Sequence, residues 1–180
     1  MQLSQNTRKL TTLSVLTALS IILLLLIRFP IFPAAPYLIY EPMDVPILIA
    51  AFVYGPISGL LVTVVSCILQ GLLFSVDGWV GILMHFIATG TYVTMASLIY
   101  RKKHSVFGAI IGLAAGTVAM AAIMVPTNLI IQPVFYGTPI EVVKPLLLPV
   151  IVPFNLLKAA INGAVTFILY KPLRKFLIKK

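Results

Sequence analysis

Prolines and small clusters of charge divide the chain into six apolar runs, at approximately 10–29, 45–54, 56–74, 79–100, 106–131 and 147–170. A helix needs about 20 predominantly apolar residues to cross the hydrocarbon core of a bilayer, and five of the runs meet that length. The run at 45–54 is too short at 1.5 Å per residue, so it either extends into the preceding loop or is shielded by its neighbours. The pattern predicts an all-α membrane protein, a six-transmembrane-helix bundle formed by one domain. The first run follows Arg8 and Lys9 as a signal peptide would, but no small-residue cleavage site follows it, so it is read as a membrane span.

Charge orients the bundle. Arg8 and Lys9 precede the first run, Arg101, Lys102 and Lys103 follow the fourth, and Lys171, Arg174, Lys175, Lys179 and Lys180 follow the sixth, so ten of the 13 basic residues share one side. That side is expected to be cytoplasmic, with both termini on it, in a multi-pass membrane protein. All four acids, Glu41, Asp44, Asp77 and Glu141, fall in the opposite, outer loops. The net charge of +9 is therefore a topology signal and not a nucleic-acid-binding face. With 61% hydrophobic and 9% charged residues and a mean hydropathy of +1.11, a soluble enzyme is excluded. A single cysteine, Cys67, excludes an intrachain disulfide.

The outer loops are unusual. Segment 30–46 holds five of the 13 prolines and is expected to be non-helical, extended or turned, yet it is apolar and aromatic; segment 133–149 has the same character. Loops of that composition fold back onto apolar surface, which suggests a lidded pocket open to the outside.

The chemistry concentrates on the last run. Asn155, Lys158 and Asn162 stand at i, i+3 and i+7, on one helical face. A lysine in the outer half of a membrane helix is costly unless it meets water, a partner or a ligand. It either snorkels to the interface or joins the two asparagines in a polar ligand site. Asn128 lies in a second polar patch, after Pro126, and serves either that site or a bond to a neighbouring helix. His85, Thr89 and Tyr92 form a further stripe; a lone membrane histidine suits an interhelical bond better than a metal site, and none is expected. Trp79, Tyr92, Tyr100 and Tyr170 read as interface anchors. Gln70 and Cys67 read as packing or minor pocket residues. No acid falls inside a run, so a carboxylate relay for protons or sodium is missing, and no motif for a serine nucleophile, a zinc protease or a phosphate loop is present; if the protein moves a solute, its energy is expected to come from a partner. Small residues four apart, Ser14 with Ala18 and Gly112 with Gly116, offer close helix contacts.

These landmarks resemble the substrate-binding S component of energy-coupling factor (ECF) vitamin transporters, and among them the riboflavin type. The resemblance rests on Asp44-Val-Pro, on 52–59, on 81–90, on Asn128 with 132–137, and on Pro153-Phe-Asn-Leu-Leu-Lys158, and it covers nearly the whole chain. It implies a vitamin-binding subunit of the bacterial cell membrane, with an outer lid formed by the loop after the first helix, no catalytic activity and no resident cofactor. Riboflavin would be held by Asn128, Asn155 and Lys158, with walls from Leu38, Tyr40 and Met43 and a contribution from His85. It also implies a transmembrane coupling subunit, docked at Ser14 and Ala18, and two cytoplasmic ATPases. The chain departs from the riboflavin-type pattern at Glu41, Ser66, Cys67 and His85. A related S component for a pyridoxine, hydroxymethylpyrimidine or pantothenate type of ligand is the alternative. A self-sufficient carrier or ligand-free scaffold is the reading from another class.

Overall fold

Each apolar run becomes a helix because a chain without water can satisfy its peptide groups only internally. The computed structural model describes residues 5–32, 35, 37–74 and 78–177, with side chains described up to residue 172. Helix α1 spans Gln5–Leu26, α2 Asp44–Tyr54, α3 Pro56–Phe74, α4 Gly78–Lys102 and α5 Val106–Tyr136. A short α6, Ile140–Leu146, leads through a π-helical turn, Leu147–Ile151, into α7, Val152–Leu177. Among the described residues, five helical segments are long and apolar enough to cross a membrane, the last of them running from Ile140 to Pro172. Serines and threonines within the helices turn their hydroxyls onto carbonyls four residues back, as Ser20, Thr63, Thr127 and Thr166 do. That bond removes the cost of placing a hydroxyl among apolar neighbours.

The short second run solves its length problem by being wrapped. In α2 every residue from Asp44 to Phe52 is buried, packed by α1, α3, α4 and α7. Gly55, at φ +91°, then reverses the chain into α3 without the clash a side chain would meet there. Between α1 and α2, Phe29–Pro30 (β1) pairs antiparallel with Ile39–Tyr40 (β2), a minimal hairpin consistent with the proline-rich composition.

Two expectations need correction. Segment 133–149 is mainly helical: α5 continues through Pro126 and Pro133 to Tyr136 and closes at Gly137 in the left-handed region, and α6 begins three residues later. Prolines at 145, 149 and 153 each remove a backbone donor, and the wider turn at Leu147–Ile151 accommodates them without ending the helix. The tyrosine anchors are also internal. Tyr92 is fully buried and donates to the Ala159 carbonyl at 2.9 Å, and Tyr100 and Tyr170 meet hydroxyl to hydroxyl at 2.9 Å. Each phenol has found a partner inside the bundle, so none needs the interface. Trp79 is exposed, set edge-on to Phe135. Asp77, Lys179 and Lys180 lie outside the described residues.

The glycines at 112 and 116 do let helices approach closely. A Cβ on Gly112 would stand 2.6 Å from the Ala96 carbonyl oxygen, and one on Gly116 2.5 Å from the Tyr92 ring. The α4–α5 contact, the most extensive in the bundle, is built around these positions.

Candidate functional site

At the end of the bundle that carries the hairpin, α3, α4, α5, α6 and α7 enclose a cavity of about 520 Å³. That volume lies within the range of small-molecule sites. Its walls are apolar, among them Leu38, Phe74, Ile82, Met120, Met124 and Phe154, and its polar lining includes Glu41, Gln70, His85, Asn128, Asn155 and Lys158.

Lys158 reaches this chamber from α7 and is only 5% exposed. Its ammonium lies 3.4 Å from Oε1 of Glu41, in the segment joining β2 to α2. The lysine therefore neither snorkels nor depends on a ligand alone for its counter-charge, and the carboxylate assigned to an outer loop is buried beside it. Asp44, the first residue of α2, is buried as well, and its side chain accepts from Thr89 at 2.8 Å and from Nδ2 of Asn162 at 3.0 Å. Two acids therefore stand within the packed bundle where the sequence pattern places none.

His85 joins the two. Its Nδ1 is 3.2 Å from Oε1 of Glu41 and its Nε2 3.4 Å from Oδ1 of Asp44. Carboxylates only accept, and a neutral imidazole has a single N–H, so this geometry suits the imidazolium. Glu41, Asp44, His85 and Lys158 then balance in charge, which is what burial demands. Gln70 completes the shell, donating to Oε1 of Glu41 at 2.6 Å. Burial alone would raise the Glu41 carboxyl, but Lys158 and then the His85 contact outweigh it and bring the group from 4.5 down to about 2. Burial, assisted by Asp44 and opposed by Lys158, raises the Tyr40 hydroxyl above its ordinary range. It stays a donor and bonds to Oδ1 of Asn162 at 3.0 Å.

The two cavity asparagines are arranged alike. Asn128 donates from Nδ2 to the Met124 carbonyl and Asn155 from Nδ2 to the Ile151 carbonyl, both at 2.8 Å. A backbone carbonyl can only accept, so each amide nitrogen is fixed against its own helix and each amide oxygen is turned away from it. The lining thus offers carboxamide oxygens, the Lys158 ammonium and the Arg28 guanidinium to whatever enters.

Of the residues singled out from the sequence, Leu38, His85, Asn128, Asn155 and Lys158 line the cavity. Tyr40 and Met43 are buried beside it, the first held by Asn162 and the second within the core. Asn162 shares the stripe of Lys158 but serves the layer beneath, bonding Asp44 and the Glu41 carbonyl. Ser66 and Cys67 are buried in α3, away from the lining. Ser14 and Ala18 face outward from α1. Sequence reasoning missed Glu41 and Asp44 as members of the site. The available signal was a lysine without a counter-charge on its own helix.

An apolar helical bundle that encloses a polar-based chamber is built to bind a solute within the membrane. The chain belongs to the ECF transporter, substrate-specific component family, whose model matches residues 8–170. It is 32% identical over 179 residues to the riboflavin transporter RibU of Staphylococcus aureus, covering 96% of this chain and 94% of that one. It is 31% identical to RibU of Streptococcus thermophilus, covering 97% and 86%, and 31% identical to the riboflavin transporter FmnP of Bacillus subtilis, covering 94% of each. A solved S component of a bacterial ECF transporter superposes with a TM-score of 0.82 at 33% identity, covering 97% of this chain and all of the other. The protein is accordingly a multi-pass membrane transport subunit and not an enzyme.

Proposed function

We propose that this subunit captures riboflavin in the cavity described above and delivers it inward with an ECF coupling subunit and two cytoplasmic ATPases. The observation that carries the reading is the chamber itself: apolar walls for a flat ring system, with Lys158, Asn128 and Asn155 converging on it. Lysine donates to ring carbonyls or ribityl hydroxyls, while the asparagine oxygens accept from the ring imide or from hydroxyls. Similarity to several riboflavin transporters supports the same ligand.

The positive-inside pattern supports cytoplasmic termini, which turns the hairpin and the cavity outward. In that orientation the proline-rich segment after α1 acts as the lid, and the exposed face of α1 around Ser14 and Ala18 is free to dock the coupling subunit. Purification in detergent tests the ligand. A yellow preparation with a flavin spectrum supports riboflavin, and a colourless one carrying another vitamin by mass spectrometry refutes it. Reconstitution tests the class: liposomes bearing this chain alone should show no uptake, and robust uptake would overturn the subunit reading.

A further inference from the structure

The segment that crosses from the hairpin to α2 carries one side chain that reaches three helices, set between Tyr40 and Asp44, which make their own bonds to Asn162. Oε1 of Glu41 accepts from Gln70 of α3 at 2.6 Å and stands 3.2 Å from Nδ1 of His85 on α4 and 3.4 Å from Nζ of Lys158 on α7. The Glu41 carbonyl also accepts from Asn162 of α7 at 3.3 Å. By comparison, the hairpin itself pairs at only two positions, Phe29 with Tyr40 and Pro30 with Ile39, and proline has no N–H to give. Glu41 also lines the cavity next to the ammonium it neutralises.

From this geometry we propose that Glu41 is a positioning residue for ligand retention. Held by Gln70 and His85 at Oε1, it fixes the Lys158 ammonium through that same oxygen at its place in the chamber wall, so it sets how fast a bound flavin escapes. The proposal rests on the riboflavin reading. A carboxylate that merely stabilised the fold would alter melting without a selective effect on release. One that acts through Lys158 loses its influence once the ammonium is gone.

The experiment follows flavin fluorescence on rapid mixing, with wild type, Glu41→Gln, Lys158→Met and the double variant, each matched to wild type by elution profile. Glu41→Gln keeps the size and removes the charge. It should release flavin about tenfold faster or more, with association changed far less, and should add little to Lys158→Met in the double variant. Gln70→Met, which loosens Glu41 while both charges remain, should also speed release and gives a reading even where Glu41→Gln fails to fold. Release from either Glu41→Gln or Gln70→Met within about twofold of wild type, or penalties that multiply in the double variant, would overturn the proposal. A wild type that binds no flavin would instead refute the ligand assignment on which it rests.

Discussion

Lys158 and Glu41 meet at 3.4 Å across 117 residues of sequence, both almost fully buried. Removing one partner of such a pair leaves an unsatisfied charge in a medium that solvates it poorly. Gln70 and His85 would still share the carboxylate, which limits the damage. Lys158→Ala should therefore lower the stability of the ligand-free protein by up to about 3 kcal/mol and weaken flavin binding more than about tenfold. Thermal melts and fluorescence titration measure the two effects. Wild-type affinity in this variant would mean that the lysine serves packing only.

Asn128 should separate binding from folding more cleanly. Its bond runs to the carbonyl of its own preceding turn, which the helix already satisfies. Asn128→Ala is expected to cost at most about 1 kcal/mol of stability and to weaken binding more than about tenfold. A large drop in melting temperature with unchanged affinity would contradict this.

Acid should erase the Glu41 contribution. The folded protein holds this carboxyl at about 2, below its ordinary 4.5, so the unfolded chain takes up the proton first as pH falls. Stability therefore rises with pH across that window and is level above it. The gap in melting temperature between wild type and Glu41→Gln should be constant from neutral pH to about 5 and shrink as pH drops below 4.5. A gap that persists undiminished at pH 3 would show that the charge of Glu41 is not what stabilises the fold.

The close approach of α4 and α5 predicts a steric defect. A methyl at position 112 would press on the Ala96 backbone carbonyl, which cannot rotate away as a side chain can. Gly112→Ala should cost about 1–3 kcal/mol and reduce the yield of folded protein. Gly137→Ala provides the comparison for backbone strain, since a Cβ there meets nothing within 4 Å and only the left-handed φ of +64° opposes it. Equal yields for Gly112→Ala and wild type would show that the two helices can separate at no cost.

Periodicity and charge made the helices readable. Runs 45–54 and 56–74 coincide almost residue for residue with α2 and α3, because Pro56 and Gly55 punctuate the chain where the backbone turns. The stripe of Asn155 and Lys158 was legible for the same reason, helical spacing. The partners of that stripe were not. Glu41 and Asp44 sit beside prolines and tyrosines in what reads as a loop, and nothing local says that the loop descends into the bundle. Asn162 shows the converse, since spacing put it on the ligand face while its bonds to Tyr40 and Asp44 commit it to the layer beneath. The helicity of 140–146 was hidden by flanking prolines, whose lost hydrogen bonds were absorbed by widening the helix.

The widened turn at Leu147–Ile151 has a geometric consequence of its own. It carries a surplus residue relative to an α-helix, and each residue advances the azimuth by about 100°. Deleting one would shift the phase of 140–146 relative to α7, swinging Val143 and Leu146 away from the chamber they now border alongside Asn155 and Lys158. The bulge thus works as a phase corrector, allowing a single transmembrane segment to aim residues from both of its halves at the same cargo.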